Sequence, residues 1–131
     1  MVAFDTGFFV AFMRGSKEAM ALWRWIKEER IKPVVSTLTI GEIMYILYRE
    51  NRNEDANGIV EKILHVAKVM PVDITIARKG AEIKYLQKIP YIDSLIGATA
   101  ILNGCVKLYT SDRKHMSILK NYGLEVVTLH E

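Results

Sequence analysis

Cysteine and histidine are scarce in this sequence, and their scarcity excludes several kinds of site. Cys105 is the only cysteine among 131 residues, so the chain forms no internal disulfide and no metal site built from several thiolates. The three histidines, His65, His115 and His130, lack the spacing of metal ligands. A zinc centre or a disulfide framework is therefore not expected.

The sequence also lacks a hydrophobic run long enough to span a membrane, which needs about 20 apolar residues. No charged leader precedes the first hydrophobic stretch at Val2, so no signal peptide is indicated. The net charge is only +3, from 18 basic and 15 acidic residues, and no long basic run marks a polyanion-binding tail. We expect a soluble, cytoplasmic protein without a membrane partner.

Short hydrophobic stretches alternate with longer helical ones along the chain. Half of the residues are hydrophobic, and 131 residues suit a single domain, here 1–131. This alternation predicts an α/β fold with a mainly parallel central sheet covered by helices on both faces. Strands are predicted at 2–4, 33–36, 70–72, 106–109 and 125–129, and helices at 8–13, 17–29, 39–50, 54–68, 74–87, 93–102 and 114–121.

The stretch from Tyr91 to Leu102 is the most distinctive segment. Isoleucine, leucine and alanine occur on every side of the helix that it would form, so this helix is predicted to be buried. Asp93 stands near its start, where free N–H groups and the helix dipole favour an anion. A carboxylate beside a core helix is costly unless it is hydrogen-bonded, paired or bound to a metal. Other groups are therefore expected to share a site with Asp93.

Three further acids are placed near Asp93 by the topology of a parallel sheet. Asp5 follows the first predicted strand, Glu42 lies in the first turn of the helix after the second, and Asp112 follows the fourth. Ligands bind at the carboxyl ends of strands in such folds. Like charges and partial burial there should raise the pKa of at least one acid. We predict that the four carboxylates converge within about one metal–ligand sphere around Mg²⁺ or Mn²⁺.

Each acid also has an ordinary structural role open to it. Asp5, Asp93 and Asp112 are plausible N-caps, and Thr39-x-x-Glu42 has the form of a capping box. Asp73 also follows a predicted strand and is interpreted as an N-cap. From the residues alone, capping and metal binding both stay open for the four acids.

Four segments, taken in order, resemble the motifs of PIN-domain nucleases, most closely the small toxins of VapBC toxin–antitoxin pairs. The segments are Phe4–Thr6, Thr39–Glu42, Tyr91–Ala100 and Tyr109–Asp112. The resemblance implies a three-layer α/β/α sandwich, a Mg²⁺- or Mn²⁺-dependent endoribonuclease, a homodimer, and inhibition by a small antitoxin. It implies the following site: catalytic and metal-binding Asp5, Glu42, Asp93 and Asp112, with supporting hydroxyls from Thr6 and Thr110.

The sequence departs from this pattern after the last aspartate. Many such toxins continue with another acid and an aromatic residue, whereas here the segment is Arg113-Lys114-His115-Met116. One or two metal ions both stay open. Arg113, Lys114 and His115 are candidates for contacts with RNA phosphates, and Tyr91 is a candidate for base stacking. The alternative for the three basic residues is an ordinary basic turn at the surface. The alternative for Tyr91 is a loop aromatic that packs on the core.

Other functions compete with that of a toxin nuclease. Nucleotide-binding folds are disfavoured because the sequence has neither G-x-x-x-x-G-K-[ST] nor G-x-G-x-x-G. A PIN nuclease of RNA processing stays open, as does a non-catalytic PIN-like module that binds RNA or protein. The presence of all four acids favours an enzyme, and the small size favours a toxin.

Overall fold

The centre of the fold is a five-stranded parallel sheet. The structure, a computed structural model, describes residues 1–130. Its strands are β1 (Val2–Phe4), β2 (Val34–Ser36), β3 (Lys68–Met70), β4 (Lys107–Thr110) and β5 (Glu125–Thr128). They lie in the order β3-β2-β1-β4-β5, and every neighbouring pair is parallel. The predicted α/β class with a mainly parallel sheet is confirmed.

Helices cover both faces of this sheet. They are α1 (Thr6–Met13), α2 (Lys17–Glu28), α3 (Thr37–Arg49), α4 (Asn53–Val66), α5 (Ile74–Gln87), α6 (Tyr91–Leu102) and a 3₁₀ helix at Met116–Tyr122. One buried core joins the sheet to α1–α4 through residues such as Phe8, Ile26 and Leu47. The other joins it to α5, α6 and the 3₁₀ helix through Ile83, Leu95 and Leu119. Two cores on opposite faces make a three-layer α/β/α sandwich.

The α6 helix lies deep in the second core, as the sequence predicts. Its residues 94–100 are all buried. Glycines allow its neighbours to come close, because a Cβ atom at Gly97 would lie 2.7 Å from Leu119 Cδ1 and one at Gly80 would lie 2.6 Å from Leu95 Cδ2. This packing fixes the start of α6, and hence Asp93, at one edge of the sheet. Among residues 1–130, none of the helices has the length and apolar character needed to cross a bilayer.

Several predicted boundaries differ from those in the structure. The third strand is Lys68–Met70 rather than 70–72, and α4 ends at Val66 rather than at residue 68. The Lys68 N–H donates to the Pro33 carbonyl at 2.8 Å, which starts pairing with β2 two residues earlier. The predicted helix at 114–121 is a 3₁₀ helix that begins at Met116. By contrast, α5 has the predicted bounds, and Asp73 caps it by accepting the Ile76 N–H at 2.9 Å.

Candidate active site

The four acids singled out in the sequence lie along the carboxyl edge of the sheet. Asp5 directly follows β1, and Asp112 follows the adjacent strand β4. Glu42 lies on α3, which begins where β2 ends, and Asp93 lies in the first turn of α6. Asp112 acts electrostatically on both Asp5 and Asp93, and Glu42 acts on Asp93. The four carboxylates therefore share one electrostatic environment.

Asp5 is the most buried of these acids, with 4% of its surface exposed. Its Oδ1 accepts the Phe8 N–H at 2.9 Å, which makes it the N-cap of α1. Burial raises the pKa of Asp5 to about 7, against hydrogen bonds from the Thr110 hydroxyl and the Phe8 amide, and with smaller upward contributions from Asp112 and Asp93. The Asp5 carboxyl group is therefore partly protonated near neutral pH.

Asp93 is half-buried and also has a raised pKa. Burial is the largest cause, Asp112 and Glu42 add repulsion, and the nearby His115 side chain opposes them, giving a pKa of about 6. The prediction of at least one raised pKa is confirmed, with burial contributing more than repulsion. The N-cap alternative for Asp93 is wrong, because α6 begins at Tyr91 after Pro90 and no side chain in the described chain caps it.

Glu42 is held in place by Thr6. The Thr6 hydroxyl donates to Glu42 Oε1 at 2.6 Å and lies 3.2 Å from Thr39 Oγ1. The predicted capping box at Thr39 and Glu42 is wrong, because Ser36 caps α3 by accepting the Leu38 N–H at 3.1 Å. The helix begins at Thr37, so Glu42 lies in its second turn rather than its first. Its carboxylate consequently faces Thr6 at the start of α1.

Asp112 lies in a tight turn after β4. Its Oδ1 accepts the N–H groups of Lys114 at 2.7 Å and His115 at 3.2 Å. Its own N–H donates to Thr110 Oγ1 at 2.9 Å. Because Thr110 also hydrogen-bonds to Asp5, a single hydroxyl links the acids that follow the two adjacent strands.

The carboxylates are neighbours without forming a compact cage. In the described residues 1–130, no three histidine, cysteine, aspartate or glutamate side chains are close enough to hold a metal ion. The prediction that the four carboxylates converge within one ligand sphere is therefore wrong for this structure. Local hydrogen bonds direct Asp5, Glu42 and Asp112 toward their own partners, and like charges oppose closer approach.

The donor set nevertheless fits a hard divalent cation. It consists of carboxylate and hydroxyl oxygens, which are the ligands that Mg²⁺ and Mn²⁺ prefer. The raised pKa values of Asp5 and Asp93 show that this edge disfavours additional negative charge. A cation among the carboxylates would relieve that repulsion.

The family model of the PIN domain matches residues 2–121 of this chain, a range that contains all four acids. This chain belongs to the PIN-domain family. A comparison with the sequences of curated proteins found no significant match.

Solved structures with the same PIN fold include proteins of toxin–antitoxin systems. VapBC2 from Rickettsia felis, bound to a promoter DNA fragment, matches with a TM-score of 0.79 and 15% identity over 99% of this chain and 100% of that chain. A toxin–antitoxin complex from Klebsiella pneumoniae matches with a TM-score of 0.77 and 23% identity, over 100% of this chain and 99% of that chain. VapC20 from Mycobacterium tuberculosis is a sarcin–ricin loop cleaving toxin. It matches with a TM-score of 0.73 and 18% identity, over 90% of this chain and 95% of that chain. At these identities the likeness establishes a shared fold.

The candidate RNA-contacting residues of this PIN domain lie at the surface. Tyr91 is 43% exposed and is the first residue of α6, so the alternative of a loop aromatic packed on the core is wrong. Arg113 and Lys114 are exposed as well. Arg113 Nη2 lies 3.0 Å from His130 Nδ1, which ties this guanidinium to the last described residue.

Two contributions to the site were missed by reasoning from the sequence. Ser111 donates a hydrogen bond to the Gly7 carbonyl at 2.7 Å, and His115 acts on the charge of Asp93. Ser111 stands between Thr110 and Asp112 in the fourth motif segment, and this position was the only sequence signal that could have indicated its role. The effect of His115 on Asp93 needs the three-dimensional path of the turn, which no spacing rule supplies.

Proposed function

We propose that this PIN domain is a metal-dependent endoribonuclease that hydrolyses RNA phosphodiester bonds and is the toxin of a toxin–antitoxin pair. The observation that carries the proposal is the placement of four carboxylates at one sheet edge, where Asp5 and Asp93 have raised pKa values. Membership of the PIN family and the similarity to toxin structures support it. In this proposal residues 1–131 act as one PIN-like domain.

Asp5, Glu42, Asp93 and Asp112 would hold Mg²⁺ or Mn²⁺, and to do so their carboxylates would have to come closer together than they are in the metal-free protein. When bound, such an ion activates water and neutralises charge that develops at phosphorus. The chain positions the ligands: Thr6 fixes one oxygen of Glu42, and Thr110 connects Asp5 with the backbone of Asp112. Because Asp5 is buried and Asp93 is only half-buried, Asp93 is the better placed of the two to lie beside a bound phosphate.

The proposal includes a small antitoxin as a partner. A groove of about 390 Å³ runs between α1, α2 and α4, with an apolar floor that contains Phe12, Trp23 and Ile59. Lys27 and Lys62 line it as well. This combination fits an amphipathic segment with acidic flanks. One solved neighbour is described as a toxin–antitoxin complex and another as a member of a family of toxin–antitoxin systems.

The antitoxin proposal has a direct test. An amphipathic peptide with acidic flanks would be titrated against the wild-type chain and against a Lys27→Glu/Lys62→Glu variant. Charge reversal should weaken the complex, because the acidic flanks of the partner then meet like charge. Equal affinity for both chains would argue against this groove as the binding site.

A homodimer and a cytoplasmic RNA substrate are further parts of the proposal, carried over from the resemblance to VapBC toxins. Sedimentation velocity tests the dimer, which should have twice the mass of one chain. An RNA-processing nuclease is the second candidate within the same chemistry. A non-catalytic RNA- or protein-binding module is the third.

The nuclease itself is tested with purified protein, mixed single-stranded RNA, and Mg²⁺, Mn²⁺ or EDTA. Asp93→Asn keeps the shape of the side chain and removes the charge that a cation needs. Asp55→Asn, at an exposed position on α4, is the matched control. We expect metal-dependent cleavage by the wild type and the control and none by Asp93→Asn. Cleavage that persists in the folded Asp93→Asn protein would overturn the assignment.

A further inference from the structure

A second concave surface lies beside the start of α6, where the C-terminal half of α5 packs next to it. It is shallow and open to solvent, has a volume of about 680 Å³ and is lined by Ala81, Lys84, Tyr85, Lys88 and Tyr91. The residues Tyr85 and Tyr91 are 74% and 43% exposed. Large apolar rings grouped at a concave surface mark a binding site more often than isolated exposed ones do.

The charge of this surface indicates the kind of ligand. Between Ile74 and Lys88 the chain carries four basic residues and one acid, Glu82. That acid is paired with Lys79, whose Nζ lies 3.0 Å from its carboxylate. The surface therefore has an excess of positive charge. A second copy of this chain bringing the same face would place like charges together, whereas a polyanion is complementary.

The cations and rings are presented together. Lys88 ends α5 in the left-handed conformation, with φ of 62°, where glycine is the usual residue. Its Nζ lies 5.1 Å from the centroid of the Tyr85 ring. Lys84 is anchored by donating to the Ile89 carbonyl at 3.1 Å. A base can stack on an exposed ring while the neighbouring ammonium group contacts its phosphate.

This surface adjoins the acidic edge through the first turn of α6. Tyr91 and Asp93 are two residues apart in that turn, so their side chains project from different sides of the same helix end. A strand of nucleic acid that crosses the start of α6 would contact Tyr91 on one side and Asp93 on the other. The concave surface and the acidic site therefore meet the same end of α6, through Tyr91 and Asp93.

We propose that Tyr85, Lys88 and Tyr91 form a subsite that holds single-stranded RNA by base stacking next to the cleavage site. This subsite rests on the proposed function in one respect, namely that the adjoining acids cut the strand that the subsite holds. Stacking requires bases that are free of a duplex, so paired RNA is a poor ligand. Because every base has a π face, the subsite accepts many sequences.

The test measures RNA binding separately from cleavage. In an Asp93→Asn background, fluorescence anisotropy follows a labelled, mixed-sequence single-stranded oligoribonucleotide. Tyr85→Ala and Tyr91→Ala should each weaken binding roughly five- to hundredfold, the range found for loss of a stacked ring. The Phe variants keep the ring and should bind nearly as tightly as the parent. In a plot of log affinity against log salt concentration, Lys88→Gln should make the slope shallower by about one, as expected for the loss of one phosphate contact.

The matched control is Tyr48→Ala, which removes a ring that is 48% exposed on α3. It should leave the affinity for RNA unchanged. Equal affinity in all the Tyr→Ala variants, tighter binding of duplex RNA, or no RNA binding at all would overturn the proposal. A change in sedimentation without a change in RNA affinity would also overturn it, since that result would assign the face to contact between two copies.

The outcomes separate this subsite from the nuclease proposal. Tyrosine-dependent RNA binding without any metal-dependent cleavage by the wild type would retain the subsite and reject the nuclease. Normal binding and cleavage by Tyr85→Ala and Tyr91→Ala would do the reverse.

Discussion

Ser111 Oγ donates a hydrogen bond to the Gly7 carbonyl at 2.7 Å, joining residues that are 104 positions apart in the chain. The contact ties the turn that carries Asp112 to the first turn of α1, directly after Asp5. A Cβ atom at Gly7 would lie 2.9 Å from Ser111 Oγ, 3.0 Å from Ser111 N and 3.2 Å from Asp5 Oδ1. The absence of a side chain at Gly7 therefore sets how closely Asp5 and Asp112, which follow β1 and β4, approach each other.

Gly7→Ala should destabilise the protein and impair the site. The added methyl group meets backbone as well as side chain, so relief requires the Asp112 turn to move. We expect a loss of about 1–3 kcal/mol, typical of overpacking, although alanine is the better helix former by about 1 kcal/mol. Urea unfolding measures the loss, and metal-dependent cleavage should fall with it.

Gly58→Ala is the matched control for this substitution. Gly58 lies inside α4, and, apart from its chain neighbours and the backbone of its own helix, no heavy atom of the described residues is within 4 Å of a Cβ placed there. Its replacement should be neutral or stabilising by up to about 1 kcal/mol. If Gly7→Ala were as stable as Gly58→Ala, close approach at Gly7 would not constrain the site.

The stability of the metal-free protein should fall as the pH rises from about 4 to about 7. The Asp5 pKa is about 7 in the folded protein, above its ordinary value of 3.8. Between these values the folded state binds more protons than the unfolded state, so raising the pH favours unfolding. The contribution of Asp5 is on the order of a few kcal/mol, since each pKa unit corresponds to about 1.4 kcal/mol.

Unfolding midpoints measured in EDTA across this pH range test the assignment. Asp5→Asn keeps an oxygen that can accept the Phe8 N–H, and it removes the titrating group. Its stability should vary much less with pH, whereas Asp55→Asn should follow the wild type. An unchanged pH slope in Asp5→Asn would mean that another group titrates.

Binding of Mn²⁺ or Mg²⁺ near pH 6.5 should release protons. Asp5 and Asp93 have pKa values of about 7 and about 6, and each must ionise before it can hold a cation. Calorimetry in buffers with different ionisation enthalpies counts the released protons. The release should shrink above pH 8 and in Asp5→Asn. A binding heat at pH 6.5 that is independent of the buffer would contradict the involvement of both acids.

The order of the elements and the location of the acids followed from simple rules. Alternating short strands and helices required a parallel sheet, and a parallel sheet brings residues such as Asp5 and Asp112 to one edge. Burial of α6 followed from its uniformly apolar sides. These conclusions depend on composition and topology, which tolerate errors of a few residues.

Details that depend on a single hydrogen bond were not accessible in the same way. Ser36 and Thr39 are both acceptable caps by type, and only the structure shows that Ser36 accepts the Leu38 N–H. That choice moves Glu42 into the second turn of α3. The mutual arrangement of the carboxylates depends on several such bonds at once, which explains why a compact cluster was predicted wrongly.

Thr6 should control metal binding through Glu42. Its hydroxyl donates to Glu42 Oε1 at 2.6 Å, and loss of a group that orients a metal ligand typically weakens metal binding by about 10–100-fold. Thr6→Val keeps the shape and removes the hydrogen bond, whereas Thr6→Ser keeps the hydroxyl. We therefore expect weaker Mn²⁺ binding by electron paramagnetic resonance in Thr6→Val and near-normal binding in Thr6→Ser, with both variants folded by circular dichroism. Equal Mn²⁺ affinity in the two variants would show that Glu42 needs no support from Thr6.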